Sequence, residues 1–312
     1  MKDTVKCLDS LKKITYPNYE AIVVDNGSKS NDADVLEKEY GDYIKVIRNK
    51  ENLGFAGGNN VAVRKILKAG KSDYVLLLNN DTVVEPNFLT ELIKVAENDS
   101  KVGMDTPKLL NPDGSLQQSV REFPTPFVVF LSFCVPKFFK KIASQTALKK
   151  FFGKKVDSYF QAFEGEEPVE IDNASGACLL ARMETIRQVG ILDEKFFLSS
   201  EDVDWCYRVK KAGWKIVYVP KAKMTHFVSK SFKNKAAEHF YFCHKVASKH
   251  YYAKKHYNKI DILKIRLTLL FALIMKSPFI IYYSLFKEQG KKFNLGNLYK
   301  NSINRVFFNK MP

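Results

Sequence analysis

Along the first hundred residues, apolar and polar positions alternate in short blocks whose period switches between that of a helix and that of a strand. Thr4 to Leu11 reads as a helix, Glu20–Val24 as a strand and Ala33–Tyr40 as a helix. Ile44–Ile47 is a strand, Asn59–Lys68 a helix and Tyr74–Leu78 a strand. Pro86 to Glu97 is a helix, with Pro86 suited to its first turn. This order predicts an α/β fold with a mainly parallel, doubly wound, Rossmann-like sheet flanked by helices. Further on, Ser175-Gly176-Ala177-Cys178 leads into an apolar strand that includes Leu179-Leu180. Ser199-Ser200-Glu201-Asp202-Val203-Asp204-Trp205 opens another helix. Gly213-Trp214, a strand Lys215–Val219 and Thr225-His226-Phe227 follow. No internal repeat stands out.

The chemistry gathers where apolar strands stop. Tyr74–Leu78 ends on Asn79-Asn80-Asp81, and Glu20–Val24 ends on Asp25-Asn26-Gly27-Ser28. Either cluster alone reads equally as a polar turn. In an open α/β sheet, however, the carboxyl edge of the strands is where ligands bind. Oxygen ligands with no cysteine beside them suit Mg²⁺ or Mn²⁺, which bridge to substrate phosphates. Asn52-Leu53-Gly54-Phe55-Ala56-Gly57-Gly58-Asn59 opens a helix. Its glycines allow close backbone approach, and a helix amino end favours phosphate. A later acidic pair, Glu201-Asp202, and His226, 24 residues after Asp202, complete the pattern of a metal-assisted transferase site.

In order and spacing these blocks resemble the family 2 glycosyltransferases of GT-A fold, especially their rhamnosyltransferase-like branch, from about Lys2 to about Ser229. The resemblance implies an inverting enzyme that moves a sugar from a dTDP- or UDP-linked donor, with dTDP-rhamnose suggested by the branch. The acceptor would be a hydroxyl of a lipid-linked or cell-surface glycan. Asn79-Asn80-Asp81 stands where the family has its Asp-x-Asp motif. Asp81 would hold a divalent metal, Mn²⁺ or Mg²⁺, and His226 would complete its shell. Asn79 replaces the usual first aspartate, near the ribose. Asp25, Asn52, Gly54, Gly57, Asn59, Asn80 and Gly176 would line the donor site. Asp202 would be the base and Glu201 its partner in acceptor binding, with Asp204 a structural partner at the helix start. Trp205 would stack on the acceptor or else serve the core. Members begin with a strand before the helix that starts here near Lys2, so Met1 is read as a truncated or misassigned start.

Composition and charge extend the picture. The 312 residues, 46% apolar, allow a large domain with an appendage, which we place at 1–230 and 231–312. Five scattered cysteines without CxxC spacing argue against a disulfide framework or a zinc site, and fit a reducing compartment. Met1–Thr4 lacks an apolar signal segment, so export is not expected. Residues 231–312 carry sixteen Lys and Arg against three acids, a net +13 of the total +16. Such a tail seeks an anionic partner. Leu267 to Phe286 inside it is almost wholly apolar, so a membrane surface is favoured over nucleic acid. We read this segment as an interfacial or re-entrant hairpin broken at Pro278, against a true span or buried helices. Within 127–155, seven lysines interleave with phenylalanines and no acid, a second membrane-surface signal or a mobile lid. The expectation is a peripheral or monotopic enzyme at the cytoplasmic face of the cell membrane. Two other classes fit less of the pattern: a nucleotidyltransferase, which would have no use for Glu201–Asp202 and His226, and an inactive glycan-binding scaffold.

Overall fold

Each strand read from the alternation forms, and the side chains it buries show why. The computed structural model describes residues 1–134, 165–227, 235–286 and 295–308. They fall into two compact units. The first comprises residues 1–123, 165–197 and 201–227, and the second residues 124–134, 198–200, 235–286 and 295–308.

In the first unit, α1 (Lys2–Leu11), β1 (Ala21–Asp25), α2 (Asp32–Tyr40), β2 (Ile44–Arg48), α3 (Gly54–Ala69) and β3 (Tyr74–Leu78) follow one another. Then come β4 (Thr82–Val84), α4 (Phe88–Asn98), β5 (Val102–Leu110) and β6 (Val120–Arg121). After the second unit's α5 (Pro126–Cys134), the chain resumes with β7 (Val169–Ile171), β8 (Asn173–Ala174) and β9 (Cys178–Arg182). It continues through α6 (Met183–Val189), α7 (Glu201–Lys211) and β10 (Lys215–His226).

Six strands form the main sheet, in the order β3-β9-β5-β10-β4 with β7 also paired to β10. β1 and β2 form a separate parallel pair, Ala21 opposite Ile44 through Asp25 opposite Arg48. The expected sheet flanked by helices is present, but its pairing is mixed. Among the described residues parallel register is confined to β1–β2 and β5–β10, while β9 runs antiparallel to both β3 and β5. Strand alternation sorts the residues onto two faces. Met104, Leu179, Ala181, Ile216 and Tyr218 meet α3, α6 and α7 on one face. Cys178, Leu180, Val217 and Val219 meet Phe88, Leu89, Leu92 and Ala96 of α4 on the other.

β10 runs well past the expected Val219. A register shift between Val219 and Lys223 carries it beyond Pro220 to His226, where it pairs antiparallel with β4, His226 opposite Thr82. That extension positions the site.

The second unit is helical. α5, α8 (Lys235–His256), α9 (Lys259–Phe286) and α10 (Leu295–Phe308) share a core of Val129, Cys243, Val246, Ile265, Leu269, Leu273 and Ile280. α5 was read as part of an insert in the catalytic domain, and it packs instead on α9. The lysine-rich part of that insert, from Lys137 onward, lies outside the described residues. The break expected at Pro278 is absent, since α9 is one helix through to Phe286. A proline removes the N–H that would bond the carbonyl four residues back. Here Ser277 Oγ donates to that carbonyl, Ile274 O, at 2.7 Å.

Candidate active site

The first half of the site is built at the end of β1. Asp25 Oδ1 accepts from the Ser28 amide at 3.0 Å, closing the turn after the strand. The hub is the next residue, Asn26. Its Oδ1 accepts from Asn49 Nδ2 at 3.0 Å and from the Leu53 amide at 3.1 Å. Its Nδ2 donates to Gly54 O at 2.9 Å and Asn52 Oδ1 at 3.1 Å. Asn52 Oδ1 also accepts from the Gly54 amide at 2.9 Å. The strand end and the helix start are thereby tied into one rigid corner. Gly54 has φ +73, and a Cβ there would sit 2.4 Å from Phe197 O, so only glycine fits.

The glycine-rich run is itself the first turn of α3, which begins at Gly54 and not at the expected Asn59. At the start of that helix the amides of Leu53, Gly54 and Phe55 donate to Asn26 Oδ1, Asn52 Oδ1 and Phe197 O, so the corner itself caps the helix. Gly57 and Gly58 are buried for packing reasons: added Cβ atoms would meet Leu53 Cβ at 2.7 Å and Asn26 Nδ2 at 2.8 Å. Asn59 Nδ2 bonds back to Phe55 O at 2.8 Å within its own helix. Gly57 and Asn59 thus serve the local fold of the loop.

The second half lies beyond β3. The Asn79 amide donates to Ala177 O at 2.9 Å, joining Asn79-Asn80-Asp81 to the Ser175–Cys178 turn. Asn80 Nδ2 turns to Thr4 Oγ1 at 2.9 Å and so anchors α1. Asp81 is 6% exposed. Because β4 pairs with the last residues of β10, His226 arrives beside it, with Nε2 3.2 Å from Asp81 Oδ1. Asn79 Nδ2 lies 3.4 Å from the same nitrogen. The Phe227 amide donates to Asp81 O at 2.9 Å and locks the two segments together.

A residue absent from the sequence reading completes this side. Gln117 Oε1 lies 2.7 Å from His226 Nδ1, while its Nε2 donates to Asn111 Oδ1 at 2.9 Å and His226 O at 3.2 Å. With Oε1 as the acceptor, the proton sits on Nδ1. Nε2 lies 3.2 Å from Asp81 Oδ1, a gap that a proton on Nε2 or a cation would bridge. Asp81 and His226 are the residues that would hold a divalent cation here, a carboxylate and an imidazole being donors that suit Mn²⁺. Among the described residues no group of three His, Cys, Asp or Glu gathers. Sequence offers no signal for Gln117, which reaches His226 from 109 positions away.

The acidic pair opens α7. Ser199 and Ser200, immediately before it, hold the left-handed φ values of 71 and 75. Side chains rarely adopt these, and such outliers cluster at functional sites. Asp202 Oδ2 accepts from the Gly176 amide at 3.0 Å, and Oδ1 from the Val203 amide at 2.8 Å. Gly176 is close-fitted: a Cβ there would come within 3.4 Å of Phe55 and Asp202. A partly exposed carboxylate is thereby fixed against the turn that also holds Asn79. Glu201 beside it is 6% exposed. Asp204, fully buried, pairs with Arg208 at 2.8 Å and is structural, as expected. Trp205 requires a correction. It is 1% exposed in the core beneath the sheet, its Nε1 donating to Gly190 O at 2.9 Å, so it offers no face to a sugar.

The profile of the family described as glycosyltransferase like family 2 matches residues 4–240. The N-acetylglucosaminyl-diphospho-decaprenol L-rhamnosyltransferase of Mycobacterium tuberculosis is 27% identical over 297 residues, 92% of each chain. Rhamnosyltransferase WbbL of Escherichia coli K12 is 27% identical over 191 residues, 59% of this chain and 65% of that one. Among solved structures, the mannosyltransferase PcManGT of Pyrobaculum calidifontis, in complex with GDP-Man and Mn²⁺, aligns at a TM-score of 0.54 with 13% identity. That alignment covers 99% of this chain and 84% of the other, a likeness of fold.

Proposed function

From the premise that the chain belongs to glycosyltransferase family 2, with the GT-A fold its sequence leads one to expect, we propose that it is an inverting transferase of a deoxyhexose such as rhamnose. The donor is a nucleoside-diphosphate sugar, and dTDP-rhamnose is our choice because rhamnosyltransferases recur among the relatives. The acceptor is a polyprenyl-diphosphate-linked sugar, the substrate class in the name of the mycobacterial relative. The enzyme works at the cytoplasmic face of the membrane.

What supports this reading is that one turn, Gly176–Ala177, bonds both to Asp202, through the Gly176 amide, and to Asn79 of the segment whose Asp81 meets His226. Asp81 and His226 would hold a divalent cation, which when bound would supply Lewis-acid stabilisation to the departing diphosphate. The corner of Asp25, Asn26 and Asn52 holds the nucleoside, next to the glycine-rich start of α3. Asp202, oriented by two backbone amides, takes the proton from the acceptor hydroxyl as oxygen attacks the anomeric carbon. A single in-line displacement inverts that centre. Glu201 supports the acceptor beside Asp202.

The test is titration calorimetry of the detergent-purified chain with dTDP, UDP and GDP, each with and without Mn²⁺, paired with product analysis. Metal-dependent preference for dTDP, and release of free nucleoside diphosphate with an inverted anomer, are expected. Pyrophosphate release would instead indicate nucleotidyl transfer. Equal, metal-independent binding of all three nucleotides would overturn the assignment of the Asp81–His226 pair.

A further inference from the structure

α9 is apolar on two opposite faces. Ile265, Leu269, Leu273 and Ile280 point into the core shared with α5, α8 and α10. The other face carries Leu263, Leu267, Phe271, Ile274, Met275, Phe279 and Tyr282, each at least half exposed, reaching 60% at Ile274 and 63% at Phe279. At about 100° per residue these positions form one stripe along the helix, roughly 30 Å long. Phe127 and Phe130, three apart on α5, add exposed rings on a helix that packs against α9. Soluble proteins seldom leave a contiguous apolar patch of this extent uncovered.

The helix is also long and apolar enough to cross a bilayer, and its packing argues against that. Its inner face is committed to α8, which carries Lys245, Lys249, Lys254 and Lys255. Crossing would drag those lysines, and the exposed Lys276 near the middle of α9, into hydrocarbon. Lying flat, α9 sinks its stripe into the acyl boundary while the lysines reach the headgroups. The net +13 of residues 231–312 selects the surface: an anionic one.

We infer that the exposed stripe of α9, extended by Phe127 and Phe130, is a monotopic docking face that lays this helix in the plane of an anionic lipid bilayer without spanning it. The inference deepens the reading of a lipid-linked acceptor, because a helix held in the interface keeps the protein where such a substrate is anchored.

The experiment uses the full chain and vesicles of phosphatidylcholine with or without one-third phosphatidylglycerol. The variant Leu267→Glu/Phe271→Glu/Ile274→Glu changes only exposed side chains, and an unaltered circular-dichroism melt certifies its fold. It should bind the anionic vesicles at least about tenfold more weakly than the parent. Tryptophan placed singly at Leu267, Ile274 and Phe279 then reports depth, as the quenching by doxyl lipids added to that of the parent. Equal, shallow depth at all three positions is expected, and a gradient through the bilayer would establish a span and overturn the inference. Vesicle binding unchanged in the triple variant would overturn it too, as would loss of a dimer with vesicle binding intact, which would make the stripe a self-association face. Turnover of a soluble, short-chain acceptor separates this proposal from the enzymatic one. The triple variant should keep that activity and lose turnover of vesicle-embedded acceptor. If the parent itself turns over neither acceptor, the functional reading fails while the docking result stands.

Discussion

At the end of β10 the imidazole of His226 is bracketed, with Gln117 Oε1 2.7 Å from Nδ1 and Asp81 Oδ1 3.2 Å from Nε2. Gln117 touches neither substrate nor cation in this arrangement. It acts by fixing the tautomer and the ring plane, which makes it a positioning residue. Partners of this kind change metal affinity by about 10- to 100-fold when removed. Gln117→Ala is therefore expected to weaken Mn²⁺ binding by that factor, read by electron paramagnetic resonance in the presence of nucleoside diphosphate. Gln117→Glu, which still accepts from Nδ1, should restore most of it. Equal Mn²⁺ affinity in parent and Gln117→Ala would show that the ring is held by other means. Asp202 poses the complementary case. Its oxygens are oriented by the Gly176 and Val203 amides, and it is assigned to the acceptor side. Asp202→Asn should cut kcat by about 10²- to 10⁴-fold, the usual worth of a general base, with donor affinity unchanged. A matching loss of donor affinity would move Asp202 to the donor side.

Among the elements, β5 was the least legible and is the most central. It lies between β9 and β10, and its first six residues are all buried. A strand covered on both faces shows no alternation to read. Asp105, Thr106 and Pro107 further disguise it. Asp105 is 1% exposed, and among the described residues neither of its carboxylate oxygens has a hydrogen-bond partner. Burial pushes its carboxyl well above the usual value of 3.8, opposed only in part by the charge of Arg182. The folded chain thus keeps this proton where the unfolded chain releases it. The stability that Asp105 contributes is full below about pH 4 and is lost as pH rises toward the raised folded value, at up to about 1.4 kcal/mol per pH unit. Asp105→Asn should melt close to the parent near pH 4 and above it at pH 8. Parallel melting curves for the two chains across that range would show that Asp105 ionises in the fold. The readable elements were those with one covered face or an abrupt end: β1, β3 and the start of β10 stand close to where the pattern put them. Polarity at the end of β3 marked the Asn79-Asn80-Asp81 cluster, and the acidic pair Glu201-Asp202 marked the start of α7. What stayed hidden was non-local: the hub role of Asn26, Gln117 behind His226, and the strand extension past Pro220. Trp205 was misjudged as a possible sugar platform for the same reason, since an aromatic beside acids says nothing about which way it points.

At the scale of the whole molecule the charge is divided as unevenly as the chemistry. Residues 231–312 carry a net +13, and the remaining 230 residues carry only the rest of the +16. Each lysine or arginine close to an anionic bilayer adds about 1 kcal/mol of attraction, which salt screens over a Debye length of roughly 10 Å at 0.1 M. Burial of an apolar stripe such as that of α9 is not screened, and salts that salt out apolar groups strengthen it. The two contributions therefore separate by ionic strength. Raising NaCl from about 0.05 to 0.5 M is expected to weaken binding of the full chain to phosphatidylglycerol vesicles without abolishing it, leaving a residue that the triple glutamate variant of α9 lacks. Turnover of membrane-embedded acceptor should fall in step with the bound fraction. Turnover of a soluble acceptor should stay level over the same range, because donor and acceptor there meet without the surface. Complete loss of vesicle binding at the higher salt would make the attachment electrostatic alone. The stripe would then need another occupant. Partial retention together with a salt-independent soluble reaction would instead show that docking and chemistry are separable functions of one chain, joined by the need to bring a water-soluble donor to an acceptor fixed in lipid.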